Sequence, residues 1–320
     1  MSYWQTPKMQ KTSNLNLKQK WLLTLGAAAI FGVVNLGNAL AQGASSRSGV
    51  ASADALLEKH AALKPQLMQN AYHRPLVFES AENADTVTSA VYAVLDSPFN
   101  VVSATFKKPD RWCEVLILHL NTKYCQASAE PVKPARLAVN IGKKTPQHLA
   151  DTFLLEFSHR VTSEASNYLA VELHANKGPL NTTDYQLQLL AAPLPDGRTF
   201  ITLRYSYGYG MAGKLAMQTY LSTVGRGKVG FSKLASNEKS AYVGGMRGAV
   251  ERNTMRYYLA MEAYLASLKQ SSPQQIGARL QYWFDATEEY PLQLREVDRS
   301  SYMAMKKDEY QRQQTTPLAQ

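Results

Sequence analysis

Met246-Arg247-Gly248-Ala249-Val250-Glu251-Arg252-Asn253-Thr254-Met255-Arg256-Tyr257-Tyr258-Leu259-Ala260-Met261-Glu262-Ala263-Tyr264-Leu265-Ala266-Ser267-Leu268 is the stretch on which the fold turns. Val250, Thr254, Tyr257, Met261, Tyr264 and Leu268 recur in it at steps of four and three, the spacing of one stripe along an α-helix. Gly244-Gly245 precede it and Ser271-Ser272-Pro273 end it, so one long helix is expected near the C-terminus. Arg247 and Glu251 stand four apart on another face, as an i,i+4 ion pair does. Arg252 and Arg256 are also four apart, with like charge. That costs a little helix stability unless a carboxylate or an anionic headgroup lies near; solvation at the surface is the other account.

Upstream of this helix the period of the pattern changes to two. Leu137, Val139 and Ile141 alternate, as do Phe153, Leu155 and Phe157, and later Tyr185, Leu187 and Leu189. Tyr168 to His174 and Phe200 to Tyr209 complete the run, with Asn176-Lys177-Gly178-Pro179 and Pro193-Leu194-Pro195-Asp196-Gly197 as turns. Alternation of this kind marks an antiparallel sheet with one buried face. Leu76 to Glu79 and Val87 to Leu95 read as an earlier hairpin, followed by two short helices that open at Ser97-Pro98-Phe99 and Pro109-Asp110. A helix from Asp54 to Met68 precedes all of this, and another is expected over Met211 to Val224. The order predicts an α+β helix-grip fold, a curved antiparallel sheet wrapped around the long C-terminal helix. The expected organisation is a leader and N-terminal helix over 42–69, a main domain over 70–270, and a helical extension over 271–320. In that extension Ile276, Leu280, Trp283 and Phe284 carry a helical pattern, and the remainder reads as a charged, weakly apolar tail.

Residues 1–41 read as a cleaved secretory signal peptide. Lys8, Lys11, Lys18 and Lys20 give a positive start, Trp21 to Val34 an apolar run of 14 residues, and Ala39-Leu40-Ala41 a small-x-small cleavage pattern. The run is short for a membrane span, which needs about 20 residues; an uncleaved anchor is the alternative. Four lysines and no acids leave with the segment, so the formal charge falls from +10 to +6. That is ordinary for the 279 residues remaining and does not point to nucleic acid. The expected location is the periplasm.

Cys113 and Cys125 are the chain's two cysteines, too few for a disulfide-dense scaffold or a four-thiolate zinc site. In an oxidising compartment they can form a disulfide, provided the chain turns back after Asn121-Thr122-Lys123. Two buried free thiols are the alternative.

Ser89-Ala90-Val91-Tyr92-Ala93-Val94-Leu95-Asp96-Ser97-Pro98-Phe99, followed by Pro109-Asp110-Arg111-Trp112-Cys113, resembles the opening of a START-like (SRPBCC) domain. Arg247 to Asn253 with Arg256-Tyr257-Tyr258-Leu259 resembles its closing helix, specifically in an exported bacterial branch of that superfamily. The resemblance spans roughly residues 70–268. It implies the helix-grip fold and an interior cavity for lipids, sterols or other apolar molecules.

No catalytic constellation accompanies these motifs. There is no G-x-S-x-G elbow and no H-E-x-x-H, and Gly225-Arg226-Gly227-Lys228 lacks the glycine spacing and hydroxyl of a phosphate loop. Catalytic residues, metal ligands and cofactors are therefore not expected. On the last strand Ile201, Leu203, Tyr205 and Tyr207 share the more apolar face. The expected cavity wall is Leu203, Tyr205 and Tyr207, faced by Tyr257, Met261, Tyr264 and Arg256 of the helix, with ordinary core packing as the alternative. The expected function is non-covalent binding of a hydrophobic or amphipathic small molecule or lipid. A cell-envelope module with a closed core is a second reading, with a possible partner at 274–320, where Trp283, Phe284 and Tyr290 can pack on that partner or on the domain itself. A cavity enzyme such as a cyclase or hydrolase is a third.

Overall fold

β1 (Leu76–Glu82) and β2 (Thr86–Leu95) form a hairpin. β3 (Thr122–Ala127), β4 (Ala135–Ile141), β5 (Phe153–Ala165), β6 (Tyr168–Lys177), β7 (Thr182–Pro193) and β8 (Thr199–Tyr209) follow as a meander. β8 returns to pair with β2, so one antiparallel sheet runs in the order β1-β2-β8-β7-β6-β5-β4-β3. The computed structural model describes residues 52–128, 134–223, 226–234 and 241–316. The signal peptide read over 1–41 lies outside the described residues. Among them, no helix is long and apolar enough to cross a membrane.

The period of two decides which side chains face inward. Val87 pairs with Tyr207, Val91 with Leu203 and Ala93 with Ile201, which puts these side chains on one face of the sheet. α5 (Gly245–Ser267) lies across that face against β1, β2 and β8, one residue earlier at each end than the spacing predicts. This is the helix-grip arrangement. Gly248 permits a close approach, because a Cβ there would stand 2.8 Å from the Val243 carbonyl oxygen. Glu251, one turn on, is wholly buried and accepts the N–H groups of Phe231 (2.6 Å) and Ser232 (2.9 Å). Its expected pairing with Arg247 is present at 3.9 Å.

The opposite face of the sheet is not left to solvent. Phe200, Tyr92 and Val94 are buried there under α1 (Ala53–Met68), whose Leu56, Leu63 and Leu67 form the apolar stripe. The Ser52 hydroxyl caps that helix by accepting the Ala55 N–H at 3.2 Å.

α2 (Phe99–Phe106) and α3 (Pro109–Leu116) close one end of the sheet, and the Trp112 indole donates to the Phe106 carbonyl at 2.8 Å. Cys113 on α3 and Cys125 on β3 form a disulfide, with their Cα atoms 5.1 Å apart. Closing a loop of this size stabilises the fold by about 3 kcal/mol on the chain-entropy model. Alkylation of the unreduced protein, read by mass spectrometry, should therefore modify neither thiol. Two modified thiols would mean that the bridge does not form.

After α4 (Met211–Thr223) and α5 come α6 (Ser272–Glu288), α7 (Pro291–Leu294) and α8 (Arg299–Thr315). Residues Gly49–Gln320 form one compact unit. Trp283 is 1% exposed, donates its indole N–H to the Arg256 carbonyl (3.0 Å) and stacks on Tyr302 at 5.0 Å. Phe284 and Tyr290 are likewise buried. Of the two places open to these three aromatic side chains, a partner or the domain itself, they pack on the domain.

The charged end of the extension packs on the domain. It folds as α8, capped by Asp298, whose carboxylate accepts the Ser301 N–H at 2.9 Å. The helix buries Tyr302, Met305, Lys306 and Glu309. The Lys306 ammonium donates to the carbonyls of His119 (3.0 Å) and Thr122 (2.7 Å) and to Glu309 (2.6 Å). Lys123 donates to the other Glu309 oxygen and to the Leu120 carbonyl, both at 3.0 Å. Periodicity treats lysine and glutamate as solvated positions; here each finds its counter-charge inside the protein, so the helix packs through them.

Candidate functional site

Tyr205 and Tyr207 are two apart on β8, so their rings project from the same face toward α5. Tyr185 of β7 stacks on Tyr207, with centroids 5.2 Å apart. Tyr257 of α5 meets Tyr205 edge-on at 5.4 Å, and its far side carries the His119 ring at 5.1 Å. Four phenols from one helix and two neighbouring strands thus converge between helix and sheet.

Their hydroxyls are not equally served. Tyr185 shares a hydrogen bond with the Thr182 hydroxyl at 2.8 Å. Tyr205, Tyr207 and Tyr257 have no side-chain hydrogen bond among the described residues. Burial pushes Tyr185 up to about 12 and raises Tyr205, Tyr207 and Tyr257 as well, so all four stay neutral at physiological pH.

Tyr257 and Asn253, one turn apart on α5, are only half-buried, whereas their neighbours Arg256 and Tyr258 are 2% and 0% exposed. This strip of the helix therefore keeps access to solvent on the side where it faces the sheet. Across from it, α4 offers Met217, Tyr220 and Leu221, each half-buried. Gly213 is the one fully buried residue described on α4.

A group of charges borders the phenols. Glu296 accepts Arg256 at 2.9 Å and Lys144 at 2.7 Å, with Lys228 4.0 Å away. Burial opposes its charge, but Arg256 and Lys144 hold its carboxyl below the usual range. Arg256 also donates to the Leu294 carbonyl at 3.3 Å, and its Nε is buried with no partner. Arg252 is 6% exposed and donates to the Val229 carbonyl at 3.2 Å; no described carboxylate lies within ion-pair distance. Burial, with Arg256 beside it, pushes the Arg252 guanidinium down to about 10. His119 accepts the Asn121 N–H at its Nδ1 (3.1 Å), which leaves the proton on Nε2. The Asn253 side chain is the polar group beside this buried ring, and burial with Arg256 nearby holds the ring neutral.

The structure thus brings Tyr205, Tyr207, Tyr257 and Arg256 together. Leu203 and Met261 are wholly buried among core side chains. Tyr264 stands two turns further along α5, about 10 Å away, where it packs near Phe106 under the Arg279 guanidinium. Tyr185, Tyr220, His119, Lys144 and Glu296 join the site from distant parts of the chain and were not read from sequence. The like-charged Arg252 and Arg256 were the one visible sign of it. Two surface grooves of about 730 and 670 Å³ lie elsewhere, beside α1 and around Tyr72 and Phe231, and neither is lined by these residues. Among the described residues, no group of His, Cys, Asp or Glu is placed to hold a metal ion.

No protein-family model matches the chain, and no curated protein matches it. Among solved structures, human StAR-related lipid transfer protein 5 is 10% identical with a TM-score of 0.34, over 68% of this chain and 98% of that one. Norcoclaurine synthase of Thalictrum flavum is 10% identical with a TM-score of 0.33, over 45% and 89%. The di-domain aromatase/cyclase (ARO/CYC) BexL is 12% identical with a TM-score of 0.31, over 62% and 50%.

Proposed function

We propose that this chain is a periplasmic START-like protein that binds an apolar or amphipathic molecule, such as a lipid, between the sheet and α5, without catalysis. The observation that carries the reading is the trio of tyrosine hydroxyls, Tyr205, Tyr207 and Tyr257, set against the apolar core with no hydrogen-bond partner among the described residues. None of the three is among the hydroxyls cut off from water, so they border accessible space where a ligand can supply the missing partner. The rings supply the apolar contact and the hydroxyls a few fixed polar points, the usual make-up of a small-molecule site. The Cys113–Cys125 bridge agrees with the export read from residues 1–41, because an oxidising compartment lets it persist.

The test is organic extraction of the protein purified from its native host, followed by lipid mass spectrometry. A molecule enriched over a control protein of similar size is the expected result. Extracts indistinguishable from the control would sink the reading.

A further inference from the structure

The charges beside the phenols say what the ligand carries at its polar end. Arg252, Arg256, Lys144 and Lys228 surround a single carboxylate, that of Glu296. Arg256 is held by Glu296 and the Leu294 carbonyl, and Lys144 by the same carboxylate. Arg252 is different: it is buried, its one hydrogen bond among the described residues goes to a backbone carbonyl, and its near neighbours are Arg256, Glu296, Tyr220 and Tyr207, with Glu296 outside ion-pair distance. A buried cation without a counter-ion is costly to keep. The polar atoms left over around it are of one kind. The Arg256 Nε–H is a buried donor without an acceptor, and the phenol hydroxyls can donate as well. Four cations share the one carboxylate of Glu296 among the described residues, so this ring of groups lacks a second acceptor with negative charge. The planar guanidinium fork fits an oxyanion in particular.

Resting on the binding reading above, we infer that the site takes an amphiphile with an oxyanion head, a carboxylate or phosphate on an apolar chain, and that Arg252 holds the head while the tyrosine rings flank the chain. The aromatic rings distinguish this from a site for a free anion, because the packed phenols set apolar faces beside the cations, with Tyr207 close to Arg252.

The experiment is calorimetric titration of the delipidated full chain with four probes: dodecanoate, dodecyl phosphate, dodecanol and inorganic phosphate. Dodecanoate and dodecyl phosphate should bind at least about tenfold more tightly than dodecanol, the effect of a charge-assisted hydrogen bond. Arg252→Met should remove that preference, bringing dodecanoate and dodecyl phosphate to the affinity of dodecanol, with circular dichroism showing that the variant is folded. The wild-type series decides the matter even if the variant is unstable. Equal affinity for dodecanoate and dodecanol would overturn the inference and leave the binding reading standing. Inorganic phosphate bound as tightly as dodecyl phosphate would overturn the amphiphile. Failure of all four to bind would overturn both.

Discussion

Replacing Glu309 by glutamine should cost the fold about 3–5 kcal/mol, the range for removing one partner from a buried ion pair. The reason is the ratio of charges. Lys123 and Lys306 are both 0% exposed and both lean on this one carboxylate, which is 1% exposed. Glutamine keeps the shape and one acceptor but leaves two ammonium groups in the interior with no counter-charge. Replacing all three residues together, as Lys123→Met, Lys306→Met and Glu309→Leu, should recover most of the loss, since no charge is then left to desolvate. Urea unfolding reads both, as a lowered and then restored midpoint at unchanged slope. A loss below about 1 kcal/mol for Glu309→Gln would match an exposed pair instead and would contradict the burial of α8 against β3.

Raising the pH above 10 should unfold the protein abruptly. Burial raises the pKa of Tyr205, Tyr207, Tyr257, Tyr258 and Tyr302 and takes Tyr185 up to about 12. In the unfolded chain each ionises near pH 10. The folded state therefore holds protons that the unfolded state has lost. Their contribution to stability is complete below pH 10 and is lost as the pH climbs toward the folded values. Each tyrosine removes about 1.4 kcal/mol per pH unit in that window, so six remove about 8 kcal/mol. Lys306 acts the other way: burial, against the pull of Glu309, takes it down to about 8. Between pH 8 and its unfolded value of 10.5 the folded chain holds less of this proton, so this residue adds stability as pH rises. Urea midpoints should accordingly hold or rise slightly to about pH 10 and then collapse. Absorbance at 295 nm should show these phenols ionising together with unfolding. Smooth ionisation of all 18 tyrosines near pH 10 in a folded protein would refute the buried cluster.

Much of the frame was legible because it is local. The steps of three and four from Val250 to Leu268 place six side chains on one stripe wherever the helix packs, and the structure starts α5 within one residue of that expectation. The alternation of β8 separates Tyr205 and Tyr207 from Arg204 and Ser206 before any partner strand is known. The cysteines are only 12 residues apart, within reach of a single reversal. The two faces of the sheet were harder to read. Phe200 and Thr202 alternate with the inner set, as solvent-facing residues do, yet both are buried, and Phe200 lies under α1.

Periodicity reports backbone sterics and which face of an element is covered; both act over a few residues, and by itself the amino-acid sequence determined these. It set the strands, the long helix and the half-site formed by Tyr205, Tyr207 and Tyr257. Only the tertiary structure decided which charges are buried. The burial of a lysine or arginine depends on what stands opposite it: Lys123 meets Glu309 across 186 residues of chain, and Arg256 meets Glu296 across 40. The same side chains in solvent would give the same sequence pattern. That is why the end of the extension read only as charged and weakly apolar, and Arg252 stayed open between the surface and a nearby anion, until packing placed one around a shared carboxylate and left the other beside the phenols with no described carboxylate in ion-pair distance.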